Sequence, residues 1–464
     1  MAFNYPNFGI PFIPIFYRFA TMRPLYFLLK VLISYAILLF FKRRKTVNAP
    51  KKFNEQTIFV VNHASAFMDP WVIAELQRPV LFFLTRGDIF KTWLRPITWA
   101  AHMIPIFRTK ENGADSAEKN EQVFQEVYNL LRKKKSILIF GEGYTDDVFI
   151  RSLKSLKKGP ARIGFGAMEA NDWKLDIKIQ SSGINYADPN EFRSEVLVSN
   201  SKPIHLKDFK AEYIKNKAKT ITKITKMVTV NLQEQLTYLE DEKLTVLHNQ
   251  IQSITKKGIA HHQSDERIKL ETRWRYSQKL ATFINGNYSE EDPKWITLKS
   301  TLSSYFKLLK KEQIEDQWVL DYSEGKKPNL FLRGLLLLVC LPIFLIGCFH
   351  HLIPYLFVKR FTEKTFKRRV FWSGIKLIMG YVVLALFNIL LCLFLNYAFD
   401  LMDTWILWIY ILFIVPPFGV VAYWYALYFK QTLQLAGLDK NKLEKLKKER
   451  EKCAALITAD ISLH

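Results

Sequence analysis

Three apolar blocks in the last third of this 464-residue chain limit what it can fold into. They occupy residues 331–357, 370–398 and 404–429. Each is long enough for the roughly 20 apolar residues that cross the hydrocarbon core of a bilayer. A fourth apolar stretch lies around residues 24–41, within a segment interrupted by Pro11, Pro14, Pro24 and Lys30. Prolines so closely spaced break a single span, so residues 1–45 are expected to form a membrane-associated or re-entrant helix motif. The N-terminus lacks the order of charged start, short apolar core and small-residue cleavage site, so no removable signal peptide is expected. With 49% hydrophobic residues gathered in this way, the chain reads as an integral membrane protein.

The formal net charge of +24 admits two partners, nucleic acid or a membrane surface. Nucleic acid would call for a basic groove interleaved with exposed aromatics, or a recognition helix. Here the cations abut apolar segments instead: Lys42 to Lys45, Lys359-Arg360, Lys367 to Arg369, and Lys440 to Lys452. Basic residues in such places face anionic headgroups and mark the cytoplasmic side. The expected partners are therefore membrane lipids and no nucleic acid, in the plasma (inner) membrane with the soluble part cytoplasmic. The same rule disfavours three simple crossings, which would put the basic loop 359–369 outside and the acidic loop with Asp400 and Asp403 inside. A block 331–357 that dips in and returns, breaking at Pro342 or Pro354, followed by a two-helix hairpin, satisfies it. The four cysteines, Cys340, Cys348, Cys392 and Cys453, suggest neither a disulfide framework nor a zinc site, and so a reducing compartment.

Between the apolar ends the pattern changes. From 52 to about 205, β-like runs at 56–61, 79–84, 136–140, 175–186 and 195–198 alternate with helical stretches at 70–77, 89–101, 118–134 and 160–170. This is the signature of an α/β fold with a mostly parallel or mixed sheet flanked by helices. Residues 206–330 read as a charged helical extension, with amphipathic segments 218–257, 266–286 and 298–314. The expected domains are 1–45, 46–205, 206–330, a C-terminal membrane region 331–430 and a basic cytoplasmic tail 431–464. In such sheets reactive groups collect at the carboxyl ends of strands. His63, Glu142 and Asn185 all fall at or just after the end of a β-like run, which points to one site.

His63 follows the run Thr57 to Val61, and Asp69 stands six positions later. Imidazole is the usual general base near neutral pH, and a carboxylate on its second nitrogen fixes the tautomer and stabilises the imidazolium. On a continuous helix a six-residue offset would separate the two by about 240°, so a turn must bring them together. No cysteine or lysine nucleophile is near, which favours deprotonation of a bound hydroxyl over a covalent enzyme. A strand-end histidine beside a helix-capping aspartate is the bland alternative.

Four stretches, taken together and in order, resemble the glycerolipid acyltransferases that act on glycerol-3-phosphate, lysophosphatidate or dihydroxyacetone phosphate. They are Asn62-His63 through Asp69-Pro70; Arg86-Gly87-Asp88 with Ile104 to Arg108; Ile139 to Thr145 around Gly141-Glu142-Gly143; and Gly183 to Tyr186 with Phe192 to Val196. The resemblance covers roughly residues 52–250. It implies an α/β acyltransferase domain with His63 as base, Asp69 orienting it, and the second and third stretches binding the acceptor, which brings in Glu142 and Gly143. Acyl transfer also needs donors for the developing oxyanion, for which the backbone amides of Gly141 to Gly143 are candidates. A phosphate-bearing glycerol acceptor needs cations. Arg108 is the best placed, because its planar fork matches phosphate oxygens, and Arg151, Lys154 and Lys158 are further candidates. Arg193 and Glu195 read equally well as a structural ion pair. Two departures stand out: five residues, not the commoner four, separate His63 from Asp69, and Gly141 stands where the family usually has proline. The expected reaction is transfer of a fatty acyl group from acyl-CoA or acyl-ACP as co-substrate, with no cofactor or metal, to 1-acylglycerol-3-phosphate in phospholipid biosynthesis. The alternatives are first-step acylation of glycerol-3-phosphate or dihydroxyacetone phosphate, or a non-catalytic lipid-binding membrane protein.

Overall fold

The computed structural model describes residues 23–50, 55–77, 80–107, 115–260 and 264–461. Pro11, Pro14 and Arg108 lie outside these residues.

An apolar helix α1 (Arg23–Phe40) runs directly into strand β1 (Phe41–Val47). There follow β2 (Thr57–Val61), α2 (Met68–Leu76), β3 (Leu81–Arg86), α3 (Arg95–Ala100), β4 (Met103–Ile106), α4 (Asp115–Arg132) and β5 (Ser136–Phe140). The chain continues through α5 (Gly159–Glu169), β6 (Lys178–Tyr186), β7 (Ser194–Asn200) and β8 (Ile204–His205). The strands form one mixed sheet in the order β1-β7-β6-β2-β5-β3-β4, with β8 paired to β6. Every pairing is parallel except those of β6 with β7 and with β8.

Strand β2 is central, and its five residues are buried on both faces, as its unbroken apolar run requires. Alternation sends Ile58 and Val60 into a core formed with Val123, Val127 and Leu131 of α4 and with α5. Phe59 and Val61 go into the opposite core, with Ile37 of α1 and Val72 and Ile73 of α2. The carboxyl ends of β2, β5 and β6 thus lie side by side in the middle of the sheet.

Strand β1 departs from the expected reading of Lys42 to Lys45 as a headgroup-facing cluster. Three of these four cations meet carboxylates: Arg44 Nη1 lies 2.6 Å from Glu75, Arg43 lies 3.2 Å from Glu266, and Lys42 also pairs with Glu266. Arg193 and Glu195 do not pair with each other. Arg193 takes a left-handed backbone (φ 63°) and directs Nη1 to the Leu39 carbonyl at 3.1 Å, satisfying the end of α1. Glu195 instead binds Arg273 of the helical extension through two 2.8 Å contacts, both side chains buried.

The extension contains α6 (Lys210–Lys215), α7 (Lys217–Glu234), α8 (Thr245–Thr255), α9 (Leu270–Asn287), α10 (Pro293–Glu312) and α11 (Asp316–Ser323). The single helix expected over 218–257 is two, α7 and α8. Between them the chain drops onto the sheet, so close that a Cβ on Gly183 would lie 2.4 Å from the Gln235 carbonyl oxygen.

Among the described residues, three helices are long and apolar enough to cross a membrane: 330–365, 369–399 and 404–436. They comprise α12 (Leu330–Thr365), α13 (Trp372–Phe399), α14 (Thr404–Ile409), a π-turn at Tyr410–Ile414, and α15 (Val415–Ala436). The expected break at Pro342 or Pro354 does not occur, because both prolines lie inside the continuous 36-residue α12. A proline removes one amide donor, and neighbouring helices can carry that loss. Here Asn388 Nδ2 of α13 donates at 3.2 Å to the His350 carbonyl, the group left without its usual partner by Pro354. The last helix, α16 (Lys440–Asp460), is no loose basic tail. Its Leu443, Leu446, Cys453 and Ile457 complete the core of the extension, and Arg450 binds the buried Asp316 at 2.9 Å.

Candidate active site

The chain leaves β2 through Asn62, whose side chain extends the ladder onto β6. Its Oδ1 accepts from the Ile184 amide at 2.8 Å and its Nδ2 donates to the Ile184 carbonyl at 3.2 Å. Residues 64–67 then turn sharply, with Ala66 in the left-handed region at φ 39° and the Met68 amide bonded to the Ser65 carbonyl at 2.8 Å. The turn does what the six-residue offset demanded. It delivers Asp69, in the first turn of α2, to His63, with 2.8 Å between His63 Nδ1 and Asp69 Oδ2.

Asp69 is fully buried, and both its oxygens accept further hydrogen bonds. Oδ2 also accepts from the Ser65 amide at 2.8 Å, and Oδ1 accepts from the Tyr186 hydroxyl at 2.9 Å. Burial, and then the adjacent Asp69 charge, push the Tyr186 phenol well above its usual range, so it stays a donor. The imidazole stacks on Phe140 at 4.1 Å and is 20% exposed. With Nδ1–H committed to Asp69, Nε2 is the atom able to accept a proton.

Glu142 reaches His63 from the end of β5, yet both its oxygens are occupied by backbone. Oε1 accepts from the His63 amide at 2.7 Å, and Oε2 accepts from the Lys154 amide at 3.1 Å. Burial raises its carboxyl above the ordinary range, opposed by those two amides. It fastens the histidine's backbone to the loop after β5. The amides of Gly141 and Gly143 are likewise engaged, with the Val61 and Phe140 carbonyls at 3.0 and 3.1 Å, which removes these two as the expected oxyanion donors. Gly143 supplies the turn's positive φ of 76°. Gly141 has a packing reason to be there: a Cβ would come within 2.8 Å of both Val60 and Leu156. Proline would also lose the bond to Val61.

Three other expected residues sit elsewhere. Arg151 is buried, donating to Asn249 at 3.0 Å and to the Tyr186 and Ile259 carbonyls at 3.4 Å, and burial lowers its pKa to about 10. Its guanidinium joins the extension to the sheet. Lys158, at the start of α5, donates to Thr222 at 2.8 Å. Asn185 points away from His63, bonding the Gln235 carbonyl at 2.9 Å and the Thr237 amide at 2.8 Å. Its neighbour Tyr186 faces Asp69 instead, because successive strand residues point to opposite sides. Among the described residues no group of three or more His, Cys, Asp or Glu could hold a metal ion.

Residues 41–181 match the family model described as Acyltransferase. They are an acyltransferase domain. The match begins at the first residue of β1 and takes in the His63–Asp69 turn and the Gly141 to Gly143 turn. Comparison with curated protein sequences gives no match. Among solved structures, the crystal structure of the 1-acyl-sn-glycerophosphate (LPA) acyltransferase PlsC from Thermotoga maritima is similar. It is 17% identical, with 46% of this chain and 85% of that chain covered and a TM-score of 0.28. A score that low adds nothing to the assignment, which rests on the family match.

Tyr186, the last residue of β6, is open to a direct check. Tyr186→Phe leaves the ring but removes one donor from a buried carboxylate, and should cost about 1–3 kcal/mol of stability. Turnover should fall about tenfold with the acceptor KM unchanged, because the hydroxyl acts through Asp69. Steady-state kinetics and a thermal melt in detergent measure both, and an unaltered kcat would remove Tyr186 from the positioning set.

Proposed function

We propose that the protein is a membrane-bound glycerolipid O-acyltransferase that transfers a fatty acyl group from acyl-CoA or acyl-ACP to 1-acylglycerol-3-phosphate. The observation that carries this reading is the His63–Asp69 contact of 2.8 Å at the carboxyl end of the central strand, inside an acyltransferase domain. His63 Nε2 takes the proton of the acceptor hydroxyl as its oxygen attacks the thioester carbonyl carbon. The imidazolium so formed is stabilised by Asp69. Collapse of the tetrahedral oxyanion breaks the carbon–sulfur bond, and the departing thiolate takes the proton from His63. The products are a new ester and a free carrier thiol.

A direct transfer suits the cysteine positions, since Cys340, Cys348, Cys392 and Cys453 all belong to the C-terminal helices. A lipid acceptor suits the setting, because Phe67 in the turn after His63 lies against Phe371, just before apolar helix α13. First-step acylation of glycerol-3-phosphate is the competing acceptor assignment, favoured by the six-residue offset of Asp69 from His63. Purified protein in detergent, given labelled oleoyl-CoA or oleoyl-ACP, separates the two with a panel of 1-acylglycerol-3-phosphate, glycerol-3-phosphate, dihydroxyacetone phosphate and neutral lysophospholipids. The highest kcat/KM is expected with 1-acylglycerol-3-phosphate. Label entering only the product of glycerol-3-phosphate would overturn the acceptor, and transfer to none of the panel would overturn the enzyme reading.

A further inference from the structure

The turn joining α12 to α13 lies some 300 positions beyond His63 and outside the matched residues 41–181, yet it rests on the site. Ser373 and Gly374, in the first turn of α13, are buried against the turn that connects His63 to Asp69. The Ser373 hydroxyl lies 3.3 Å from that of Ser65, whose amide bonds Asp69. Gly374 comes so close that a Cβ there would lie 2.6 Å from Phe67 Cβ and 3.0 Å from the Met68 nitrogen. Between Ser65 and Phe67 stands Ala66, at a φ of 39° that residues bearing a Cβ seldom adopt. The ring of Phe371 covers Phe67 with centroids 5.4 Å apart. On the other side, Arg368 donates to the Thr145 carbonyl at 2.7 Å and pairs with Asp147. That loop also carries Glu142, which holds the His63 amide.

We propose that the α12–α13 turn is a working part of the acyl-transfer site, with Arg368, Ser373 and Gly374 as positioning residues. They clamp the two loops that carry His63, Asp69 and Glu142, one from each side. A backbone turn in a sparsely populated conformation persists only where its surroundings hold it. Here part of that surrounding comes from an apolar helix pair, so the seating of those helices sets the geometry of the base. The inference rests on the reading of His63 as that base.

Full-length protein in detergent, assayed by label transfer, tests it. Gly374→Leu should lower kcat about 10- to 100-fold, as expected when a reacting group is displaced by about 1 Å. The acceptor KM should stay within about threefold, the pattern of a lost transition-state interaction. Gly380→Ala is the control on the same helix, where a Cβ would meet nothing within 4 Å, and it should behave as wild type. Arg368→Ala, at a part-exposed position that leaves the core intact, should lower kcat about tenfold without raising KM. Ser65→Cys combined with Ser373→Cys should cross-link under mild oxidation, since the two hydroxyls lie 3.3 Å apart. Wild-type kcat in both Gly374→Leu and Arg368→Ala would overturn the proposal, as would failure of the double cysteine variant to cross-link in membranes. His63→Ala in the same assay separates the two failures. If it is inert while Gly374→Leu and Arg368→Ala are both fully active, the clamp alone is wrong; if it is active, the base assignment is wrong.

Discussion

Replacement of His63 by alanine is expected to lower kcat by about 10²–10⁴-fold, the range that a positioned general base contributes. The fold should survive, because the imidazole stacks on Phe140 at the rim of the sheet and is not part of either core. The other histidines of the sheet domain and the extension, among the described residues, are committed elsewhere. His102 is sandwiched between Tyr26 and Phe82, at 4.5 and 4.3 Å, and burial, followed by the charge of Lys135, pulls its pKa down to about 4. His205 pairs with Asp176, and His248 is buried between Gln252 and the Ser277 carbonyl. The residual rate of His63→Ala would therefore report binding and orientation alone. The check is single-turnover transfer from labelled oleoyl-CoA, with the melting midpoint followed in parallel. A variant that folds and turns over at the wild-type rate would sink the mechanism.

Much of this site is legible in the sequence because its two key residues are local. His63 and Asp69 are six apart, and a strand end followed by a helix start leaves few ways to connect them. The central strands β2 and β5 are legible for the same reason, as short apolar runs within a residue of the expected bounds. The unread parts depend on distant partners. Strand β1, Phe-Lys-Arg-Arg-Lys-Thr-Val, does not look like a strand until its cations find Glu75, Glu195 and Glu266. Strand β4 contains Pro105 and is acceptable only because it lies at the sheet edge, where a missing donor costs little.

Tyr186 shows where local reading stops. The stretch Gly183 to Tyr186 stands out in the sequence, but with Asn185 as its polar member. The strand's two-residue period places Asn185 and Tyr186 on opposite faces, and the face of Asp69 is set by α2 packing on the sheet. The clamp by Arg368, Ser373 and Gly374 carries no sequence signal at all. A glycine in an apolar helix means nothing until the turn it touches is known.

The second large effect is expected from Asp69→Asn, and the surrounding donors decide its form. Asp69 receives His63 Nδ1–H and the Ser65 amide on Oδ2, and the Tyr186 hydroxyl on Oδ1. Asparagine has one acceptor oxygen. The Ser65 amide cannot reverse its polarity, whereas the Tyr186 hydroxyl can rotate to accept. The amide oxygen should therefore face Ser65 and His63, and the NH₂ group should face Tyr186. This keeps the histidine tautomer but removes the charge that stabilises the imidazolium. The expected loss in kcat is about 10²–10³-fold, less than the roughly 10⁴-fold seen where the same change imposes the wrong tautomer. The acceptor KM should hold, since Asp69 is buried behind His63. Adding Tyr186→Phe to Asp69→Asn removes the group placed to accept from the new NH₂, so the double variant should lose more than the product of the singles. A double-mutant cycle on kcat measures that excess. Simple multiplicativity would show that the two side chains do not act through one another, and would leave His63 oriented by Asp69 and Ser65 alone.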